Sequence, residues 1–149
     1  MSAPDHANVI APPPLLYALA VAITAVLHWA WPLALLPDFA GARRWIAVLL
    51  VVSGLALNGA AVYALYRART ALNPYRRSSA IVTSGPFRYS RNPIYLGLNL
   101  VCAGIVVWID SLWGLPLFIA LLVVIHYGVI RREERYLHNL FEDDYEQYC

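Results

Sequence analysis

The sequence predicts an all-α integral membrane bundle of about four transmembrane helices. A polar connector joins the second and third spans, and a polar helix follows the fourth. Three observations carry this. Of 149 residues, 60% are hydrophobic and 13% charged, where a soluble domain has roughly a quarter charged. The apolar residues gather into four runs, most of them long enough to cross a bilayer. All eleven basic residues are arginine, and they stand between or beside the runs rather than inside them.

The elements follow in order. Residues 1–11 are polar and expected to fray. They hold no Lys or Arg, so no secretory signal is expected. Pro12, Pro13 and Pro14 end that segment. The first span is 15–36, interrupted only by Thr24, His28 and Pro32. Trp29 and Trp31 suit a membrane interface, and Pro32 marks a kink or the last turn. The second span is 45–66. Ser53, Gly54, Asn58 and Gly59 lie near one of its faces, a pattern that reads as close helix packing. Residues 67–93 form a long connector. Connectors of that length are functional or disordered, and the aromatics together with Ile81 and Val82 argue for order. Pro93 suits the first turn of a helix, which continues as a short third span, 94–109. Asp110 and Ser111 make a tight break, and the fourth span, 112–130, folds back as an antiparallel hairpin. Residues 131–148 continue as a helix out of the membrane. No repeat or second domain is visible, so residues 1–149 read as one membrane-embedded domain.

Arginine sets the orientation. The connector holds Arg67, Arg69, Arg76, Arg77, Arg88 and Arg91, and the tail holds Arg131, Arg132 and Arg135. The break between the third and fourth spans holds only Asp110. Positive residues favour the cytoplasmic side. The connector, the C-terminal helix and the N-terminus are therefore expected to face the cytoplasm, as in a bacterial cytoplasmic membrane. Arg43 and Arg44 fall on the opposite side and conflict with this.

The net charge of +2 is too small to argue for a nucleic-acid partner. Cys102 lies in an apolar run and Cys149 at the end, which is neither a disulfide framework nor a metal pattern. His28 and His126 read as packed membrane histidines, so no metal is expected. The connector and the tail share one face of the membrane. The connector offers arginine, backbone N–H groups around Gly85, and the rings of Phe87, Tyr89 and Tyr95. The tail offers Glu133 and Glu134. Arginine forks onto carboxylates or phosphates, glutamate takes an ammonium or hydroxyls, and rings stack on a heterocycle or face a cation. S-adenosylmethionine, nucleotides and lipid headgroups all carry such parts.

The stretch 81–97, followed by Glu133-Glu134-x-x-Leu137 and then Phe141, Tyr145 and Tyr148, resembles the isoprenylcysteine carboxyl methyltransferase family. That family groups with the phospholipid methyltransferases, integral membrane enzymes that use S-adenosylmethionine. The resemblance covers about half the chain. It implies a cofactor loop at Ser79, Ala80, Ile81 and Val82, and an aromatic beside the cofactor at Phe87. It implies a signature at Arg91, Asn92, Pro93, Ile94 and Tyr95, and cofactor contacts at Glu133 and Glu134. The sequence departs from the family pattern in several places. Asn92 and Ser79 stand where the family has histidines, Glu142 where it has glycine, and Val129 where eukaryotic members have a substrate-binding arginine. Arg131 and Arg132 are the candidates to replace that arginine toward a substrate.

The implied reaction is methyl transfer to a lipid or lipidated acceptor, such as a prenylcysteine-like carboxylate. Phospholipid amines and small thiols are alternatives. A carboxylate or thiolate acceptor needs no base, whereas an amine does. The candidate bases are Glu133, Glu134 and His126, the last seven residues before Glu133 and so expected on the same helix face. No residue demands that role, so the catalytic residue is left unassigned. The competing class is a non-catalytic membrane packing or lipid-binding protein whose arginines only meet anionic lipid.

Overall fold

The computed structural model describes residues 9–36, 40–69 and 82–138. They form α1 (Pro13–Ala30), α2 (Ala40–Arg67), α3 (Pro93–Ile109) and α4 (Gly114–Ile125). The last helix runs on through a π turn (His126–Ile130) and residues 131–138. Among the described residues the only extended pairing is a bridge between Ala34 and Ser111, so the all-α expectation is met. Pro13–Ala30, Gly41–Arg67 and the continuous helix Gly114–His138 are long and apolar enough to cross a membrane, and Pro93–Ile109 is a shorter apolar helix. The apolar part of the last helix ends at Ile130, and the charged run from Arg131 to Arg135 stands beyond it.

α1 stops sooner than expected. Pro32 disfavours helical backbone at Trp31, which adopts φ −137° and ψ 86°. Residues 31–36 then form a strap across the break between α3 and α4. Leu112 N–H donates to Leu33 O at 2.9 Å, and Leu35 N–H to Asp110 O at 3.1 Å. Asp110 closes α3 in the left-handed conformation, φ 62°, which short polar side chains tolerate best after glycine. Its Oδ1 accepts from Leu35 N–H and Leu36 N–H. Its Oδ2 lies 3.1 Å from Arg43, whose guanidinium also donates to Trp108 O. Arg43 belongs to the first turns of α2, which begins before the span expected from the sequence. One of the two arginines that conflicted with the orientation rule is therefore paired with an acid at its own end of the bundle.

α3 is the hub, packing against α1, α2 and α4. Membrane helices associate through close packing rather than the hydrophobic effect, because lipid is as apolar as leucine. The α2–α3 seam shows how. A Cβ added to Gly97 would stand 2.8 Å from Gly54 O, and one added to Gly104 would stand 2.8 Å from Ala47 O. Only glycine permits that approach. Gly54 and Asn58 face the seam as expected, but Ser53 and Gly59 are exposed. The other buried cluster joins α1, α3 and α4 through Tyr17, Tyr95, Cys102, Leu121, Ile125, Val129 and Tyr136. Inside it the Tyr17 hydroxyl donates to Asn99 Oδ1 at 2.6 Å. Val9 is buried in the same cluster. The end of the 1–11 segment is therefore packed rather than frayed, while residues 1–8 lie outside the described residues.

Candidate functional site

The site lies at the end of α3 opposite Asp110. The chain reaches it from Val82, which is buried. Ser84 is extended, and Gly85 takes φ +62°, a conformation nearly free of cost only for glycine. The 3-10 turn Gly85–Arg88 follows, with Gly85 seated against Ala64 of α2. Tyr89 N–H and Ser90 N–H both return to Pro86 O, and Asn92 N–H donates to Ser90 Oγ at 3.2 Å. Asn92 is held non-helical by the proline after it, at φ −128° and ψ 53°. Pro93, fully buried, opens α3 where its missing N–H is harmless. Tyr95 follows within the first turn.

Two hydrogen bonds join this entry to the tail. The Tyr95 hydroxyl donates to Glu133 Oε1 at 2.8 Å, and the Asn92 amide donates to Glu134 Oε1 at 3.2 Å. Connector and tail therefore meet, and Glu133 and Glu134 of the tail are both engaged by residues of the arginine–asparagine–proline–isoleucine–tyrosine stretch. Glu133 stands three residues beyond Ile130, in the charged run that follows the apolar part of the last helix. Burial pushes its carboxyl up to about 7, the Tyr95 hydrogen bond opposes the rise, and neighbouring Glu134 adds to it.

The remaining candidates sort by position. Phe87 and Ile94 are half-buried and Arg91 is exposed. Ser79, Ala80 and Ile81 lie outside the described residues, as do Phe141, Tyr145 and Tyr148 of the tail. Arg131 and Arg132 are exposed, and the Arg131 guanidinium lies 4.9 Å from the Tyr127 ring centroid. His126 does not share a face with Glu133. It is exposed and packs edge-on against Tyr127, because the π turn between the two breaks the seven-residue rule. Three features have no signal in the residue pattern alone: the π turn, the Asn92–Glu134 bond, and the docking of Ile10 on Gly128, where Ile10 N–H lies 3.4 Å from Gly128 O.

An all-α membrane bundle with a polar, hydrogen-bonded junction at one end of its central helix defines the class of protein. Residues 42–144 match the phospholipid methyltransferase family. That stretch covers more than half of the chain, which belongs to this family of membrane methyltransferases. It takes in α2 from its third residue on, α3, α4 and both halves of the junction, and leaves α1 outside. No curated protein and no solved structure matches the chain.

Proposed function

We propose that this protein transfers a methyl group from S-adenosylmethionine to a lipophilic acceptor at the cytoplasmic face of a membrane. The observation that carries the reading is the paired junction of Tyr95 with Glu133 and Asn92 with Glu134, in a chain of a methyltransferase family. The residues present fit such a cofactor. Two adjacent carboxyls, one of them largely removed from water, raise each other's demand for a positive charge, and a sulfonium or α-ammonium supplies one. When bound, the cofactor supplies an electrophilic methyl carbon.

The chain's own residues would then align and desolvate. Tyr95 and Asn92 hold the two carboxylates in fixed directions. Phe87 offers a half-buried ring beside the Gly85 turn, and Gly85 lets backbone approach a ligand closely. Ser79 to Val82 would complete the cofactor loop, with Arg91, Pro93 and Ile94 at the entry to α3. Arg131 and Arg132 are the candidates to meet an anionic acceptor group.

A prenylcysteine-like carboxylate remains one acceptor. A second reading, a phospholipid amine, is favoured by Glu133. A carboxyl whose proton affinity sits near neutral pH is suited to take the proton an amine must lose.

Titration calorimetry with S-adenosylhomocysteine tests the cofactor reading. Wild-type protein in detergent is expected to bind, and Glu133→Gln to bind at least about tenfold more weakly, the loss of one charge-assisted contact. Absence of both heat and thermal shift at millimolar ligand would leave the non-catalytic reading standing.

A further inference from the structure

We propose that the π turn His126–Ile130 is a positioning device that selects which tail residue lies under Tyr95, and that Ile10 clamps it. Inward-facing positions on the last helix recur every fourth residue. Leu121, Ile125 and Val129 are buried, and Glu133 bonds to Tyr95. In an uninterrupted α-helix each residue turns about 100°, so Glu133 would sit roughly 120° away from the Leu121 line. A single wide turn absorbs one extra residue and takes back about 100°. The wide turn is present, since Arg131 N–H reaches back five residues to His126 O. Without it, the direction now held by Glu133 would fall to Arg132, and Glu133 would take the place of Glu134. The charge offered beneath Tyr95 would change sign.

The clamp is the chain just before α1. Ile10 N–H points to Gly128 O at 3.4 Å. A Cβ on Gly128 would come within 3.0 Å of Ile10 Cγ1, so glycine at 128 makes room for the Ile10 side chain in its present position. Val9 anchors the segment in the cluster that holds Val129, Tyr95 and Tyr136. The register itself is a statement of geometry. Its consequence for ligand binding rests on the cofactor reading above.

A thiol-linking scan reads the register without any ligand. In a background of Cys102→Ala, Cys149→Ser and Tyr95→Cys, single cysteines at positions 132, 133 and 134 are joined to position 95 with a short bifunctional linker. Position 133 is expected to link best. Preference for 132 is the result of an uninterrupted helix and would overturn the proposal. Deleting exposed Tyr127 removes the extra residue and is expected to leave 133 preferred, whereas inserting one alanine after Ile130 is expected to move the preference to 132. A shift to 134 on deletion, or no shift on insertion, contradicts the device. Gly128→Leu leaves no seat for Ile10 and is expected to blur the preference between 132 and 133; an unchanged preference removes Ile10 from the device.

A second arm measures S-adenosylhomocysteine affinity on the cysteine-intact chain. The insertion is expected to cost about tenfold or more, and adding Arg132→Glu to it, which returns a carboxylate beneath Tyr95, to recover most of that loss. A merely destabilised helix would gain nothing from that added acid. Failure of the wild type to bind would sink the cofactor reading, while the linking scan still decides the register.

Discussion

At Glu133 burial and the adjacent Glu134 favour the neutral acid, while the Tyr95 hydroxyl favours the carboxylate. The balance lies near neutrality, and this makes two pH effects of opposite sign. Binding of a ligand's ammonium group favours the ionised form, so affinity for S-adenosylhomocysteine is expected to rise between about pH 6 and pH 8; calorimetry across that range should show Glu133→Gln flat. Stability without ligand runs the other way. The folded state holds this proton more tightly than the unfolded chain, so its advantage is complete below the ordinary glutamate value of 4.5 and lost as pH rises through about 7. The melting temperature of unliganded protein should fall over that window, and that of Glu133→Gln should not follow it. Tyr95→Phe removes the group that favours the carboxylate. It should move the midpoint of the binding profile to higher pH and weaken binding by about 1 kcal/mol. The pairing of Tyr95 with Glu133 was legible because Tyr95 opens one apolar run and Glu133 follows another that ends on the same side. The exclusion of His126 was not, since a wide turn depends on backbone hydrogen bonds that no residue type announces.

Helix packing explains which elements were read well. α3 appeared at nearly its true limits because Pro93 and Asp110 punctuate it chemically. α1 was read too long because residues 33–36 are apolar, yet they serve as a strap, and composition alone does not separate a strap from a span. The Gly54–Gly97 seam follows from small residues on α2, but its partner glycines on α3 are visible only once the helices are aligned. Gly97→Leu should separate α2 from α3 and cost about 1–3 kcal/mol by overpacking, read as a lower melting temperature in detergent. At the opposite end Asp110 does three things: it adopts the left-handed backbone, accepts two strap N–H groups and pairs with Arg43. Asp110→Asn keeps the first two and should lose little. Asp110→Ala takes the acceptor from Leu36 N–H and the carboxylate from Arg43, and should lose about 2 kcal/mol or more. Equal losses for the two variants would show that the ion pair alone matters.

At the scale of the whole molecule, the orientation of the bundle in its membrane rests on charge. Among the described residues, Arg67, Arg69, Arg88 and Arg91 of the connector and Arg131, Arg132 and Arg135 of the tail stand toward the Tyr95–Glu133 end. The Asp110 end holds Arg43, nearly buried against its acid, and Arg44, which is exposed. The bias during insertion follows positive residues rather than net charge, and the nine arginines of connector and tail outnumber Arg43 and Arg44, so the connector is expected in the cytoplasm. The expected outcome is concrete. In intact cells a membrane-impermeant maleimide should modify cysteine placed at exposed Leu33, in the strap, and should spare cysteine placed at exposed Arg88, beside the site, until the membrane is opened. The reverse pattern would put the site on the outer face, away from any cytoplasmic methyl donor, and would defeat the proposed reaction whatever the geometry of Tyr95 and Glu133. Arg43→Ala carries the argument one step further. If the ion pair silences that arginine, its removal leaves the labelling pattern unchanged while lowering the melting temperature. If Arg43 instead pulls against the other arginines, its removal should sharpen the pattern.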